Sequence, residues 1–368
     1  MNDSDYMQLA LRLAGRGAGW VSPNPMVGAV LVKDGKIIGQ GWHEAYGGPH
    51  AERNALASCG EDPAGATMYV TLEPCCHQGK QPPCTDAILE AGIRRVVIGS
   101  VDPNPLVAGK GIRILREHGM EVTEHVLEEE CSRLNEVFFH YIQTKRPFVV
   151  MKYAMTLDGK IAAFTGESKW ITGEAAREHV HRQRHRYTAI MAGVGTVLAD
   201  DPLLTCRMPG GKNPVRIICD TGLRTPLTSQ VVSTAGQVPT ILATCSGDRE
   251  RWAAYEKAGC RILFVDKKGG HIDLEALMEA LGRDGIDSIL LEGGGTLNWS
   301  ALESGIVRKV QAYLAPKLFG GRDARTPVEG DGVPSPSNAF FLKNSTVIRL
   351  GEDFLIESEV CPHVHRDH

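Results

Sequence analysis

The sequence predicts an α/β protein with two domains, and three observations support this prediction. The 368 residues exceed the ~100–200 residues expected of one domain. Short apolar segments typical of strands alternate with segments of helical spacing, as in layered α/β folds. The polar stretch 143–147 ends in Pro147 and interrupts this alternation. Because proline stops a helix and few apolar contacts would cross there, we predict domains at 1–146 and 147–368.

Spacing and turn residues predict the elements of the first domain. Residues 5–13 have helical spacing, with Asp3 or Ser4 available as the N-cap. Asp34-Gly35 is a favoured hairpin turn between strands at 27–32 and 36–41. The other predicted helices are 49–59, 85–90 and 127–142, and the other predicted strands are 67–72, 94–98 and 122–125.

The second domain is predicted to be a further α/β series. Its strands are expected at 148–153, 189–193, 215–219, 240–243, 261–265, 288–291 and 309–314. Helical stretches lie between most of these strands, and residues 354–358 are predicted as a late edge strand. The chain contains no repeat of the length that solenoids or propellers use.

Composition and charge exclude several classes of protein. Hydrophobic residues at 42% and charged residues at 23% are ordinary for a globular protein. A net charge of −4 argues against non-specific nucleic-acid binding, which needs a basic face. No apolar run reaches the ~18 residues of a membrane helix, and acidic residues stand where a signal peptide has basic ones. Ten cysteines then indicate reduced thiols, so we expect a cytoplasmic protein with neither a nucleic-acid nor a membrane partner.

The clearest chemical signal is His50-Ala51-Glu52 followed by Cys75 and Cys84. One imidazole and two thiolates are good Zn²⁺ ligands, and three protein ligands leave the fourth tetrahedral position to water. Zinc lowers the pKa of that water towards neutrality. Glu52 is two residues from His50 and is placed to act as the catalytic acid–base group. Proline precedes both His50 and Cys84, so we expect these ligands at helix N-termini, which favour a thiolate.

Other metal sites are possible alternatives in this sequence. His77 could close a structural zinc site as a fourth ligand, but such a site would give Glu52 no role. Cys76 is a further thiol beside the predicted ligands, and the sequence leaves open whether it can replace one. The C-terminal His363, His365 and His368 could bind a metal too, although we expect a loose chain end there.

The second domain has two glycine-rich turns but no G-x-G-x-x-G motif. Gly193-Val194-Gly195-Thr196 leads to Asp200, and Gly293-Gly294-Gly295 leads into a predicted helix. Backbone amides at such junctions bind phosphate because no Cβ blocks the approach and the helix N-terminus is electropositive. Either turn alone also fits a purely structural role. A dinucleotide site that is not of the Rossmann type is therefore a hypothesis at this point.

Longer motifs resemble one enzyme family in both halves of the chain. The segment 71–84 places eight residues between Cys75 and Cys84, whereas the common deaminase pattern is P-C-x-x-C. The other similar segments are 24–30, 102–111, 152–160, 168–172, 193–196, 200–207 and 292–298. On these motifs the chain is identified as similar, over residues 5–358, to the RibD family of bifunctional riboflavin-biosynthesis enzymes. Cys76 departs from the small polar residue of the family pattern.

The resemblance implies a fold and two reactions. It implies an N-terminal cytidine-deaminase-like α/β/α sandwich, a zinc-dependent pyrimidine deaminase, and a C-terminal dihydrofolate-reductase-like α/β domain that uses NADPH. The first would hydrolyse an amino group of 2,5-diamino-6-ribosylamino-4(3H)-pyrimidinone 5′-phosphate. The second would reduce the ribosyl group of 5-amino-6-(5-phosphoribosylamino)uracil to ribityl. We thus expect a small pyrimidine nucleotide as substrate, and a homo-oligomer.

The resemblance also implies roles for individual residues of the second domain. The cofactor positions are Ala154, Trp170, Thr196, Asp200, Thr221, Gly294, Gly295, Thr296, Leu297, Asn298, Trp299 and Ser300. The substrate positions are Ser168, Arg184, Leu204, Arg207 and Glu292. Arg184 and Arg207 suit bidentate binding of a sugar phosphate, although each taken singly also fits a surface salt bridge. Whether Asp200 is catalytic or binds ribose stays open.

Two rival functions share some of these sequence features. A zinc nucleic-acid deaminase of the tRNA type, with an accessory domain, would share the His-x-Glu and Pro-Cys features. The long insert before Cys84, the negative net charge and the glycine-rich second domain weigh against it. A zinc-stabilised binding protein without catalysis is the other rival, and it leaves Glu52 unexplained.

Overall fold

The computed structural model describes residues 1–361, so the C-terminal histidines considered as metal ligands lie outside the described residues. Backbone contacts divide the chain into one unit, Met1–Lys145, and a second that begins at Arg146. Within residues 1–361 no helix combines the length and the apolar character that crossing a membrane requires.

The first unit is a mixed sheet with helices on both faces. Its helices are α1 (Asp3–Ala14), α2 (Ala51–Ala57), α3 (Cys84–Glu90), α4 (Lys110–Glu117), α5 (Glu128–Leu134) and α6 (Glu136–Thr144). Its strands are β1 (Gly28–Lys33), β2 (Lys36–Trp42), β3 (Thr67–Leu72), β4 (Arg95–Ser100) and β5 (Glu121–Thr123). The sheet order is β2-β1-β3-β4-β5, with β1 antiparallel to β2 and β3, and β3, β4 and β5 parallel.

Alternate side chains of β1 enter two different cores. Ala29 and Leu31 pack with residues of α2, α3 and α4, whereas Val30 and Val32 pack with residues of α1 and α5. Since successive side chains of a strand point to opposite faces, both faces of this sheet are covered. The α/β/α sandwich expected from the resemblance is therefore confirmed.

Two glycines in β2 let α2 pack directly on the sheet. A Cβ at Gly41 would lie 2.3 Å from the backbone nitrogen of Ala55, and a Cβ at Gly39 would lie 2.5 Å from the oxygen of Ala55. Neither distance is sterically possible, so the backbones of β2 and α2 touch only because both positions lack a side chain. This contact determines where the N-terminus of α2 lies.

Three details of the first unit differ from the prediction or refine it. The hairpin is confirmed, with Asp34 and Gly35 both at positive φ (48° and 75°) as a type I′ turn requires. The N-cap of α1 is Asn2, not Asp3 or Ser4: the Asn2 side chain accepts from the Asp5 nitrogen in a capping box. The single helix predicted at 127–142 is two helices that meet at Asn135, where the backbone leaves helical geometry (φ −103°, ψ 18°) and the side chain bonds both backbone groups of Met26.

The second unit is built on a longer sheet. Its helices are α7 (Glu174–Arg186), α8 (Val194–Asp200), α9 (Gln230–Ser233), α10 (Arg249–Lys257), α11 (Leu274–Arg283) and α12 (Gly295–Glu303). Its strands are β6 (Phe148–Thr156), β7 (Ala189–Gly193), β8 (Val215–Cys219), β9 (Thr240–Thr244), β10 (Arg261–Phe264), β11 (Lys267–Lys268), β12 (His271–Ile272), β13 (Ser288–Leu291), β14 (Val307–Ala315), β15 (Leu342–Leu350) and β16 (Asp353–Val360).

The order of the long sheet is β10-β9-β8-β7-β13-β6-β14-β16-β15. Strands β10, β9, β8, β7, β13, β6 and β14 run parallel, and β16 and β15 complete the sheet in antiparallel fashion. Strands β11 and β12 form a separate antiparallel pair. The strand predicted at 354–358 is present as β16, but it is not an edge strand. The edge is β15, which the sequence analysis missed because nearly all of its residues are exposed and show no apolar alternation.

Candidate active sites

Three side chains from three elements of the first unit meet as a candidate metal centre. His50 is the N-cap of α2, Cys75 follows β3, and Cys84 is the first residue of α3. The Nδ1 atom of His50 lies 3.4 Å from the sulfur of Cys75 and 3.4 Å from that of Cys84. A tetrahedral zinc ion with bonds of about 2.0–2.3 Å separates its ligand atoms by roughly 3.5–3.8 Å. The observed spacing therefore fits zinc.

The electrostatics of the cluster favour a thiolate at Cys75. The pKa of Cys75 is lowered to about 4, first by a hydrogen bond from the Cys84 thiol and also by its contact with His50. The same contact with Cys75 raises the pKa of Cys84, which is fully buried. Among residues 1–361 the group of possible ligands that meets here contains neither His77 nor Cys76, so the closed four-ligand alternative lacks its fourth ligand.

Glu52 lies in the first turn of α2 beside this cluster. Its side chain is only 3% exposed, and burial raises the pKa of Glu52 to about 7, with the charge of Cys75 adding to the effect. Glu52, His50 and Cys75 line one cavity of about 250 Å³. A buried carboxyl group that titrates near neutrality at a cavity wall suits proton transfer.

The wall of the same cavity contains polar residues for which the sequence predicted no role. These residues include Asn24, His43, Lys80, Asp102 and Asn104. His43 lies 3.0 Å from the Pro49 oxygen through Nδ1 and 3.1 Å from the Asn24 amide nitrogen through Nε2. Burial lowers the pKa of His43, so this ring is neutral, with Nδ1 donating and Nε2 accepting. All of these residues except His43 lie in the motif segments 24–30, 71–84 and 102–111. Their polar side chains within those motifs were the signal that could have identified them as functional residues.

The second unit contains a cavity of about 390 Å³ where several predicted positions converge. The predicted residues in its wall are Ser168, Thr196, Asp200, Thr221, Gly294, Gly295, Thr296, Leu297 and Ser300. The Ser168 hydroxyl donates to the Asp200 carboxylate at 3.2 Å. The cavity thus joins both glycine-rich turns with the end of α8.

The turn before α12 has the features of a phosphate cradle. Gly294 is the N-cap of α12, and no side chain caps this helix end. A Cβ at Gly294 would meet only the Thr196 hydroxyl, at 3.9 Å, so the approach to the helix N-terminus is open. An open, electropositive helix end in a cavity wall is what a dinucleotide phosphate requires. The open side of this turn, at Gly294, therefore fits a phosphate group of a dinucleotide, while the Glu329 side chain lies on the other side, against Gly295.

Four of the predicted cofactor residues are not in the cavity wall. Asn298 is buried, and its amide donates to the Pro327 oxygen at 2.8 Å. Trp299 packs edge-on against Phe340, and Ala154 packs with the small core around Tyr313. Trp170 is 60% exposed and carries the Arg177 guanidinium 4.8 Å from its ring centroid.

Among the predicted substrate residues other than Ser168, Arg184 and Glu292 form a separate cluster. Arg184 donates through Nε and Nη2 to the two Glu292 oxygens, at 2.7 and 2.9 Å, and through Nη1 to the Thr205 oxygen. Lys152, which the sequence analysis assigned no role, lies 3.4 Å from Glu292 and is 13% exposed. Arg184 is therefore bound to a carboxylate, and its predicted part in binding the substrate stays a prediction.

The loop after α8 carries the other two substrate positions. Leu204 is buried at positive φ, and Arg207 is exposed. The backbone nitrogen of Arg207 donates to Nδ1 of His181 on α7, so the loop is fastened to the helix that carries Arg184. Of the two arginines, Arg207 is the one available to an external anion.

Comparisons with known proteins cover both units. The family model described as cytidine and deoxycytidylate deaminase zinc-binding region matches residues 1–100. The model described as RibD C-terminal domain matches residues 147–356. Riboflavin biosynthesis protein RibD of Actinobacillus pleuropneumoniae is 56% identical over 357 residues, 97% of this chain and 95% of the relative. The protein of the same name from Escherichia coli is 39% identical and covers 99% of both chains.

Solved structures give the same result. RibD of Acinetobacter baumannii has a TM-score of 0.86 at 36% identity and covers 98% of this chain and 99% of its own. A Thermotoga maritima protein has a TM-score of 0.84 at 42% identity, with the same coverage. That protein is described as a diaminohydroxyphosphoribosylaminopyrimidine deaminase and 5-amino-6-(5-phosphoribosylamino)uracil reductase.

Proposed function

Because the chain belongs to the RibD family and is a bifunctional deaminase/reductase of riboflavin biosynthesis, we propose specific residues for each reaction. In the first unit, His50, Cys75 and Cys84 bind zinc and Glu52 transfers protons. In the second unit, NADPH binds at the Gly294 turn and Lys152, Glu292 and Arg207 act on the nucleotide. The match of residues 147–356 to a RibD C-terminal domain removes the tRNA-type deaminase alternative.

One observation carries the deaminase assignment: an open three-ligand cluster shares a cavity wall with a buried carboxyl group. When bound, zinc supplies the acidity that makes a water molecule nucleophilic near neutral pH. Glu52 accepts a proton from the attacking water. It delivers that proton to the ring nitrogen while the water oxygen bonds to the carbon that bears the amino group. It then moves the remaining proton of the new hydroxyl group to the amino group, and the C–N bond breaks as ammonia departs and C=O forms. The pKa of Glu52, raised by burial to about 7, suits a group that must both accept and donate.

For the reductase, the cavity of the second unit supports NADPH as cofactor and the neighbouring cluster supports a phosphorylated sugar as substrate. When bound, NADPH supplies the hydride that reduces C1 of the ring-opened ribosylamine. Lys152 is the proposed donor of the proton that the imine nitrogen gains as C1 receives the hydride, because its ammonium group is only 13% exposed and is oriented by Glu292. Arg207 is the proposed phosphate ligand. Asp200, bonded to Ser168 in the cavity wall, orients the ribose of either ligand.

The experiment follows from the order of the two reactions. The zinc-loaded protein is incubated with the diaminopyrimidine nucleotide, with and without NADPH, and products are identified by mass. Without NADPH we expect an amino group replaced by oxygen, with ammonia released. With NADPH the product also gains two hydrogens. Reduction without prior deamination would contradict this order.

We further propose, from composition and resemblance, that the protein forms a homo-oligomer and is located in the cytoplasm. Sedimentation tests the oligomer, and cell fractionation tests the location.

A further inference from the structure

A buried glutamate of the first unit accepts hydrogen bonds from three backbone N–H groups and also lines the deaminase cavity. Glu73 follows β3, two residues before Cys75, and is 3% exposed. Its Oε2 accepts from the nitrogens of Asp102 and Gly109, at 3.3 and 2.9 Å, and its Oε1 accepts from that of Ile112 at 3.2 Å. Buried carboxylates with several backbone donors hold chain segments in place, because few other acceptors satisfy so many N–H groups at once.

The segment that Glu73 holds forms one wall of the deaminase cavity. It runs from the end of β4 to the start of α4, and its residues Asp102, Asn104 and Val107 line the cavity. Within it, Asp102 accepts from the Asn104 nitrogen at 2.8 Å, and the Asn104 oxygen accepts from the Val107 nitrogen at 2.8 Å. The donors to Glu73 lie at both ends of the segment. The single carboxylate of Glu73 therefore joins the two ends of this segment.

The contact with α4 strengthens this arrangement. Gly109 is the N-cap of α4, at φ +78°, and no side chain of its own segment caps the helix. Glu73, which belongs to another part of the chain, caps α4 instead. Its carboxylate lies at the electropositive N-terminus of the helix. A Cβ at Gly111 would lie 2.3 Å from the Pro74 oxygen, so the first turn of α4 packs directly on the chain between Glu73 and Cys75.

We propose that Glu73 is a positioning residue of the deaminase site. It holds the wall formed by Asp102 and Asn104 at a set distance from Cys75 and so governs substrate binding, not proton transfer. This inference rests on the deaminase function proposed above. A purely structural role would lower the stability of the unit without affecting the Michaelis constant of deamination selectively.

The test compares Glu73→Gln with Glu61→Gln, an exposed glutamate of the same unit. The amide keeps the size of Glu73 but turns one acceptor oxygen into a donor that faces a backbone N–H. We expect the KM of deamination to rise about tenfold while kcat changes less than about threefold. Zinc content and reductase kinetics should stay unchanged, and amide hydrogen exchange should quicken in residues 101–112. Glu61→Gln should change none of these values.

A second variant keeps the proposal testable if Glu73→Gln does not fold. Gly109→Ala leaves Glu73 intact but strains the same loop, since alanine disfavours positive φ, and it should raise KM in the same way. A fall in kcat at constant KM, unchanged hydrogen exchange in 101–112, or a Gly109→Ala variant with the parent KM would each overturn the proposal. Failure of the parent protein to release ammonia would instead overturn the deaminase function itself.

Discussion

Arg184 and Glu292 form a bidentate ion pair inside the second unit, with N–O distances of 2.7 and 2.9 Å. Burial alone would raise the pKa of Glu292, but the positive charges of Arg184 and Lys152 outweigh it and hold the pKa well below its usual range. Glu292 is therefore a carboxylate at all ordinary pH values. Its single negative charge holds the positively charged side chains of Arg184 and Lys152.

We expect Glu292→Gln to destabilise the second unit by about 3–5 kcal/mol and to abolish reduction, because two buried cations lose their counter-charge. A matched control is Glu275→Gln, which breaks the exposed Lys268–Glu275 pair and should leave the stability nearly unchanged, because solvent screens an exposed pair. Urea denaturation of both variants measures the difference. Equal stability of the two variants would contradict the buried-pair account.

The same pair should show a defined pH dependence. The pKa of Glu292 in the folded protein lies below its value in the unfolded chain, about 4.3. Its contribution to the free energy of unfolding is then fully present above that unfolded value and is lost as the pH falls through the folded one. The stability difference between parent and Glu292→Gln should stay constant from about pH 7 to 5 and shrink only below about pH 4. A stability difference that shrinks towards alkaline pH would contradict this account of Glu292.

For Glu52→Gln we expect zinc to remain bound while deamination falls by ~10²–10⁴-fold. The reason is that Glu52 lines the cavity beside the ligands, yet the metal cluster consists of His50, Cys75 and Cys84. Zinc is measured by elemental analysis and deamination by ammonia release, with NADPH oxidation on the deaminated nucleotide as a folding control. Loss of zinc in this variant would make Glu52 a ligand and invalidate the mechanism.

The two activities should be separable by removing the metal ligands. Cys75→Ser or Cys84→Ser should release zinc and stop deamination, since serine is a poor replacement for a thiolate. Because the two units have their own cores, NADPH oxidation on the deaminated nucleotide should persist. Cys59→Ser, at a half-buried thiol outside the cluster, is the control. A well-folded ligand variant without either activity would point to a shared site.

At the proposed cofactor site, Gly294→Leu should weaken NADPH binding by more than about tenfold without lowering the melting temperature. Gly294 has an ordinary φ of −77° and open space around its missing Cβ, so the leucine enters the cavity and not the core. Gly247→Leu, also in open space but outside the cavity wall, is the control. Fluorescence titration and a melting curve are measured together; unchanged affinity with lower stability would make the turn structural.

Local patterns were enough to predict most strands and the metal ligands. Strands such as β7 and β13 have buried residues on consecutive positions, and the His50, Cys75 and Cys84 motif is itself a pattern in the sequence. Strand β15 has almost no buried residue, so its position depends on pairing with β16 and not on its own composition. No periodicity could have revealed it.

Long-range pairing limited the prediction of the reductase residues. Arg184 and Glu292 are 108 residues apart, and nothing local shows that the guanidinium is bound to that carboxylate. Lys152 and Glu73 were missed for the same reason, because their partners lie on other elements. Asn135, at the break between α5 and α6, is likewise bonded to Met26, which is far away in the chain.

The contact of α2 with β2 has a genetic consequence. Gly39 and Gly41 are tolerated only as glycine because their Cβ positions are already filled by the backbone of α2. Every missense change of one base in a glycine codon introduces a residue with a Cβ, and so would push the helix that bears His50 and Glu52 away from the sheet. These two codons should therefore accept only silent substitutions, and an allele altered at either should behave as a deaminase null although it encodes every zinc ligand.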